Sequence, residues 1–329
     1  MAPPPSGARR WVGLGGALLL LAFAGLNVLA FRHSYLMTHF SPGRNPGPSI
    51  ERLGASRKLG FLILGASKPR PANARTPRDF GMSFETHAFK GAFDTPLEAW
   101  LVRRPRGKGL VVMFPGYAAG KDCLLPAAKA FFRLGYESLL VDFHGSGGSG
   151  GSTTSIGFHE ASDVAAAFGY AEGALGARAP VLYGVSMGAA AALRAVHVHG
   201  LRPKALIVEA PFDRMLTTIR NRFVLMGVPS APAAQLLLYW GGVQGGFDAF
   251  SHNPVEYARS VRSPTLLLAG ESDPYVSLGE SRAVFDALQG PKDFTAFPGV
   301  AHQVFVEARP GEWAASVGGF LAELEDARR

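Results

Sequence analysis

The stretch Val181 to Leu193, VLYGVSMGAAAAL, constrains this chain more than any other. Val181, Leu182 and Tyr183 form an apolar run that enters Gly184-Val185-Ser186-Met187-Gly188, and the small residues Ala189 to Ala192 follow. The pattern predicts a buried strand, a tight turn and a helix lying close against the sheet, with Ser186 at the tip of the turn. Such a G-x-S-x-G elbow forces its serine into a strained backbone and projects the hydroxyl above the sheet. A β-carbon on Gly184 or Gly188 would crowd the turn or the neighbouring strand. A second match, Gly147-Gly148-Ser149-Gly150-Gly151, lies in a glycine-rich loop with no helix opening from it. With 41 glycines in 329 residues such coincidences are expected, and Ser186 is the candidate because strand precedes it and helix follows it.

The N-terminal segment has a separate character. Residues 11 to 31 carry no charge. As a helix they span about 31 Å, the thickness of a bilayer's hydrocarbon core. Trp11 and Phe31 stand at the two ends, where aromatic rings favour the interface. A cleaved signal peptide, with Val28 and Ala30 as its small-residue site, is the competing reading, but the run exceeds the usual h-region. The net charge of +8 also belongs here. Residues 1 to 60 hold Arg9, Arg10, Arg32, Arg44, Arg52, Arg57 and Lys58 against Glu51 alone. Basic flanks beside a span meet anionic headgroups, and the body shows no basic patch with interleaved aromatics that would suit nucleic acid. Arg9, Arg10 and the amino terminus favour an N-inside orientation with the large domain on the extracytoplasmic side, although Arg32, Arg44 and Arg52 pull the other way. The expected division is therefore an anchor over 1–35, a Pro/Gly-rich linker over 36–80 interrupted by the apolar piece Leu59 to Leu64, and one large domain over 81–329.

Within that domain apolar strands alternate with helices. Phe84–Phe89 and Leu97–Val102 read as an antiparallel opening pair, and Leu110–Phe114, Glu137–Phe143, the elbow strand, Ala205–Ala210, Thr265–Ala269 and Phe294–Phe297 as further strands. Helices are expected over 121–134, 157–175, from the elbow, near 279–289 and from 311. Fully apolar strands with helical crossovers mean an α/β fold, a mostly parallel sheet covered on both faces. Residues 212–258 are too long for an ordinary connection and contain amphipathic material, which suits a helical cap over the sheet's C-terminal edge. A peripheral helical pair with no part in the site is the alternative.

A serine nucleophile needs a base, and the base needs an acid to orient it. In elbow-type folds the chain order is Ser, Asp or Glu, then His. Of nine histidines, only His252 and His302 follow Ser186 and its helix. His302 lies in a loop after the last strand and is the better base; His252, beside Asn253-Pro254, reads as a surface or turn residue. Asp273 closes the strand that begins at Thr265, at the end from which ligand-facing residues come; Glu209 is the reserve acid. Two backbone N–H donors are needed for an oxyanion: Met187, at the helix start, and Tyr117, in the loop after Phe114.

With these residues in place, 81–329 resembles the α/β-hydrolase superfamily. The elbow, Asp273 and His302 match its triad order. Asp142-Phe143-His144-Gly145-Ser146-Gly147 resembles the D-x-R-G-x-G loop of its esterase and thioesterase-like branches, which include membrane-associated members. The chain departs from the pattern twice. Pro115-Gly116 replaces the frequent His-Gly after the third strand, and His144 replaces the frequent arginine. The resemblance implies a membrane-anchored serine hydrolase that cleaves a small or lipid-like acyl ester or thioester through an acyl-enzyme. A peptidase or amidase on the same fold, or a non-catalytic binding protein, are the alternatives.

Other features point elsewhere and fall away. Gly145 to Gly150 fits G-x-G-x-x-G, but a nucleotide site would open a helix at those glycines. His197 and His199 alternate around a helix and cannot share a metal. Cys123, the one cysteine, suits a small buried role. No cofactor or metal is expected.

Overall fold

Alternating strands and helices close into one eight-stranded sheet in the computed structural model, which describes residues 6–43, 54, 60 and 64–326. The strands are β1 (Glu85–Lys90), β2 (Pro96–Val102), β3 (Leu110–Phe114), β4 (Glu137–Val141), β5 (Val181–Val185), β6 (Leu206–Glu209), β7 (Thr265–Gly270) and β8 (Lys292–Phe297). Their order is β1-β2-β4-β3-β5-β6-β7-β8. β1 pairs antiparallel with β2 and β2 with β4, as the alternating pattern of the opening pair requires. From β4 to β8 all pairings are parallel. The fold is that of the α/β hydrolases.

Side chains of period two along each strand feed a core on each face. Val112, Phe114, Leu139, Val141 and Leu182 pack under α3 (Glu160–Gly173) and α4 (Met187–His199). Val111, Met113, Leu140, Val181 and Tyr183 pack under α2 (Leu125–Leu134) and α10 (Pro310–Asp326). The expected helix over 157–175 opens only at Glu160. The reason is local: the Glu160 carboxylate accepts from Thr154 Oγ1 (2.6 Å) and from the amides of Ser155 and Gly157 (2.9 Å each), so it holds a turn where the sequence suggests helix.

Residues 212–258 fold as α5 (Met215–Met226), α6 (Ala233–Gly245) and the short α7 (Pro254–Ala258). Phe212, Met215, Ile219, Ala234 and Leu238 share a third apolar cluster with Ala190 of α4 and Val276. His252 corrects the sequence reading. It is fully buried rather than at the surface, with Nε2 3.0 Å from the Ile156 carbonyl and Nδ1 3.1 Å from the Tyr257 hydroxyl. Burial lowers its pKa to about 4, so it is neutral at physiological pH.

The N-terminal helix α1 runs Ser6–Thr38, past the uncharged stretch, and Leu14–Thr38 is long and apolar enough to cross a membrane. Its last turn persists because the large domain supplies donors to carbonyls that a helix end leaves unpaired. Tyr117 Oη donates to the Met37 carbonyl (2.6 Å) and the Thr154 amide to that of Thr38 (2.9 Å). The chain then continues against the domain, the Phe40 amide donating to the Ser152 carbonyl. Most of the apolar piece Leu59 to Leu64, and Arg44, Arg52, Arg57 and Lys58, lie outside the described residues.

Candidate active site

Ser186 sits between β5 and α4 with φ 51° and ψ −109°. A non-glycine residue in that region costs about 1–3 kcal/mol and persists only where its surroundings hold it. Two backbone bonds do so: the Ser186 amide donates to the Glu209 carbonyl (2.8 Å), and the Ala190 amide donates to that of Ser186 (3.0 Å). Gly188 is required by approach rather than by dihedral. A β-carbon there would stand 2.5 Å from the Phe114 carbonyl oxygen and 2.7 Å from that of Pro115, both rigid backbone. Gly188→Ala is therefore expected to displace the elbow, with lost solubility or a fall in Tm of several degrees, read by thermal melting of the purified chain.

The loops after β7 and β8 are laced together, the Glu271 amide to the Phe297 carbonyl (3.1 Å) and the Ser272 amide to that of Val300 (3.0 Å). This sets Asp273 beside His302. His302 Nδ1 lies 2.6 Å from Asp273 Oδ2, and its Nε2 lies 3.1 Å from Ser186 Oγ. The other Asp273 oxygen accepts from the amides of Tyr275 (2.8 Å) and Val276 (2.9 Å), which fixes the carboxylate plane. The Asp273 side chain is 1% exposed and that of His302 27%, so the carboxylate is sealed while the imidazole faces the pocket.

Met187 opens α4, where helical amides have no partner within the helix. Gly116, next to Tyr117, is so close to the elbow that a β-carbon on it would stand 3.7 Å from Ser186 Cβ. Tyr117 and Met187, the residues named from sequence, both line the pocket with Ser186. The pocket above is lined by Met37, Ile156, Phe212, Met215, Ile219 and Arg222, among others. Its walls come from places distant in sequence: the end of α1, the loops after β3 and before α3, Phe212 with α5, and the loops after β7 and β8.

Glu209 points away from this group. It is buried beneath the sheet edge, where Trp313 Nε1 donates to Oε1 at 2.5 Å. Burial lifts its pKa to about 7 from 4.5. The fold thus favours the neutral acid: that contribution is complete below about pH 4.5 and is lost as pH rises towards 7. Glu209→Gln keeps an acceptor for Trp313 and cannot ionise. Relative to this variant, the wild type is expected to lose on the order of 3 kcal/mol between pH 4.5 and 8, read by urea unfolding at several pH values.

The glycine-rich loop is structural. Ser149 Oγ donates to the Asp142 carbonyl (2.7 Å) and accepts from the Glu98 amide (2.9 Å), deep inside. His144 does not take the place of an arginine: its Nε2 lies 3.0 Å from Thr153 Oγ1, and burial holds it below the usual histidine range. The cations come from elsewhere. Arg70 donates to the carbonyls of Gly147 (2.8 Å), Gly151 (3.0 Å) and Ser149. Lys121, fully buried, pairs with Asp142 and with Glu98 (2.7 Å) and lies 4.3 Å from the Trp100 ring centre. Sequence reasoning missed both residues, since nothing local marks them. His197 and His199 bond to Ser260 and Ser162, apart from each other, and burial pushes the Cys123 thiol up to about 12.

Comparison with known proteins agrees with the fold. A family model described as serine aminopeptidase, S33, matches residues 105–254. The uncharacterised protein YqkD of Bacillus subtilis is 25% identical over 202 residues, 60% of this chain and 65% of its own length, so the chain spans a little under two thirds of that relative. The lysophosphatidylserine lipase ABHD12 of Danio rerio is 28% identical over 176 residues, 51% of this chain and 43% of that one. Among solved structures, the Pyrococcus furiosus esterase Pf2001 superposes with a TM-score of 0.64 at 20% identity, covering 78% of this chain and 96% of the esterase. The chain has the α/β-hydrolase fold, and the proteins it is similar to include an esterase and a lipase.

Proposed function

We propose that this chain is a membrane-anchored serine hydrolase of acyl esters or thioesters, with Ser186 as nucleophile, His302 as base and Asp273 as the acid that orients it. One observation carries the reading: the unbroken hydrogen-bonded line from Ser186 Oγ through the imidazole to a sealed carboxylate. With its proton on Nδ1, donated to Asp273, the imidazole presents Nε2 as acceptor to the serine hydroxyl. Ser186 Oγ attacks the acyl carbonyl while Nε2 takes its proton, and the carbonyl oxygen gains the negative charge. The amides of Met187 and Tyr117 donate to that oxyanion. Collapse of the tetrahedral intermediate breaks the bond to the alcohol or thiol, which leaves with the proton from Nε2, and an acyl-serine remains. Water, deprotonated by the same nitrogen, repeats the sequence and frees the acid.

Residues 212–258 serve as the cap, and α1 as a single-pass anchor with the enzyme on the extracytoplasmic side, joined through residues 36–80. The lipase among the relatives, named for a lysophospholipid, supports a lipid-like acyl substrate. The test is turnover of matched ester, thioester and amide substrates by the full-length chain in detergent. Cleavage of the ester or thioester with at most slight cleavage of the amide is expected. Faster amide cleavage favours the peptidase reading suggested by the family model. No turnover, with no labelling by a fluorophosphonate, favours the binding protein.

A further inference from the structure

Four residues, Met37, Ile156, Met215 and Ile219, line the pocket over Ser186 and also a second cleft, between α1 and α6. The two spaces are therefore adjacent, with these four side chains between them. The cleft continues past Ser34, Leu237 and Leu238 to Gly241. There α1 and α6 come so close that a β-carbon on Gly241 would stand 3.1 Å from Ser34 Oγ. The packing is specific along its length: Trp240 Nε1 donates to Asn27 Oδ1 (3.2 Å), its ring meets Phe31 edge-on at 5.3 Å, and Gln244 Nε2 donates to the Phe31 carbonyl (2.9 Å).

The outside of this assembly is apolar as well. Leu18 to Leu21 and Val28 on α1, Tyr239 and Val243 on α6, and Val224 on α5 are large apolar side chains left exposed. Exposed apolar surface carried from a spanning helix onto the neighbouring helices suits a bilayer surface, with Tyr239 and Trp240 at interface level. The depth agrees. From Phe31, the end of the uncharged run, to Met37 is about 9 Å along the helix, close to the roughly 5–8 Å of a headgroup layer.

We infer that the cleft between α1 and α6 takes the acyl chain of a membrane-resident lipid ester, drawn sideways from the bilayer, so that the end of α1 is a wall of the substrate site. The inference rests on the acyl-hydrolase and anchor readings above. The ester carbonyl reaches Ser186 as the chain slides past Met37 and Met215, whose flexible thioethers adapt to a moving apolar guest.

The test uses the full-length chain in phospholipid nanodiscs. Leu237→Trp narrows the part of the cleft that is not shared with the Ser186 pocket. The ratio of kcat/KM for a sixteen-carbon ester to that for a four-carbon ester is expected to fall at least about tenfold; an unchanged ratio overturns the passage. Should that variant fail to fold, the Ser186→Ala chain is irradiated with a lysophospholipid carrying a photoreactive diazirine at the acyl terminus. Cross-links in residues 34–38 and 237–241 are expected. Cross-links confined to residues 14–28, or to a second copy of the chain, overturn it. The cross-link needs no turnover, so a wild type that cleaves no ester defeats the hydrolase reading while the passage is still decided.

Discussion

Ser186→Ala is expected to abolish fluorophosphonate labelling and to lower ester turnover about 10⁶-fold, the scale on which removing a nucleophile acts in such sites. His302→Ala should cost about as much, and the double variant hardly more, because the two side chains perform one proton transfer between them. Asp273→Asn should cost about 10⁴-fold with the fold intact, since the amide would leave the imidazole with the wrong tautomer towards Ser186. Ser149→Ala provides the contrast. It should label normally and melt earlier, because it strips the Glu98 amide of its acceptor inside the protein. Persistent labelling of Ser186→Ala, with loss in Ser149→Ala, would overturn the assignment of the elbow. Labelling read by gel and melting read by fluorescence separate the chemical loss from the structural one.

Lys121→Met is expected to be the most damaging change away from Ser186. Its ammonium is fully buried against the Asp142 carboxylate, which is equally buried and also accepts from the Lys121 amide (2.7 Å), Asn73 (2.8 Å) and the Gly148 amide (2.9 Å). Breaking such a pair leaves one charge without a partner where water cannot reach it, at about 3–5 kcal/mol. For a domain of this size that is a fall in Tm of about 10 °C. Lys121→Met combined with Asp142→Asn should recover part of the loss, because the stranded charge goes with its partner. A double variant less stable than Lys121→Met alone would show that Asp142 acts mainly as an acceptor for the loop amides.

Much of this arrangement is legible in the residues themselves. The strand β3 coincides with the run Leu110–Phe114, because a strand buried on both faces has no polar residue to blur its ends. Ser186 is legible because a strained turn between strand and helix admits few sequences. Asp273 and His302 are legible because chain order and strand ends restrict the choices. What escapes is burial of polar side chains and long-range company. His252 beside Asn-Pro looks like a turn residue, yet its ring closes over the Ile156 carbonyl, 96 residues away in sequence. Arg70 lies in what reads as linker, and only the folded chain brings it to the carbonyls of the glycine-rich loop. Met37 follows Arg32 and His33, so hydropathy assigns it to a membrane boundary rather than to a pocket. In each case the missing information is a contact made across the sheet's C-terminal edge, to which local periodicity is blind.

The hydrogen bond from Tyr117 to the Met37 carbonyl bears on how a soluble form would be made. Trimming such a protein where its greasy run ends is routine, and here the cut would fall around residue 35. The surviving fragment would keep Ser186, Asp273, His302 and even Met37, yet it would lose Ser34 and the helical turns that hold the Met37 carbonyl against the Tyr117 hydroxyl. A preparation that is well behaved in aqueous buffer would then have a different site wall from the full-length chain.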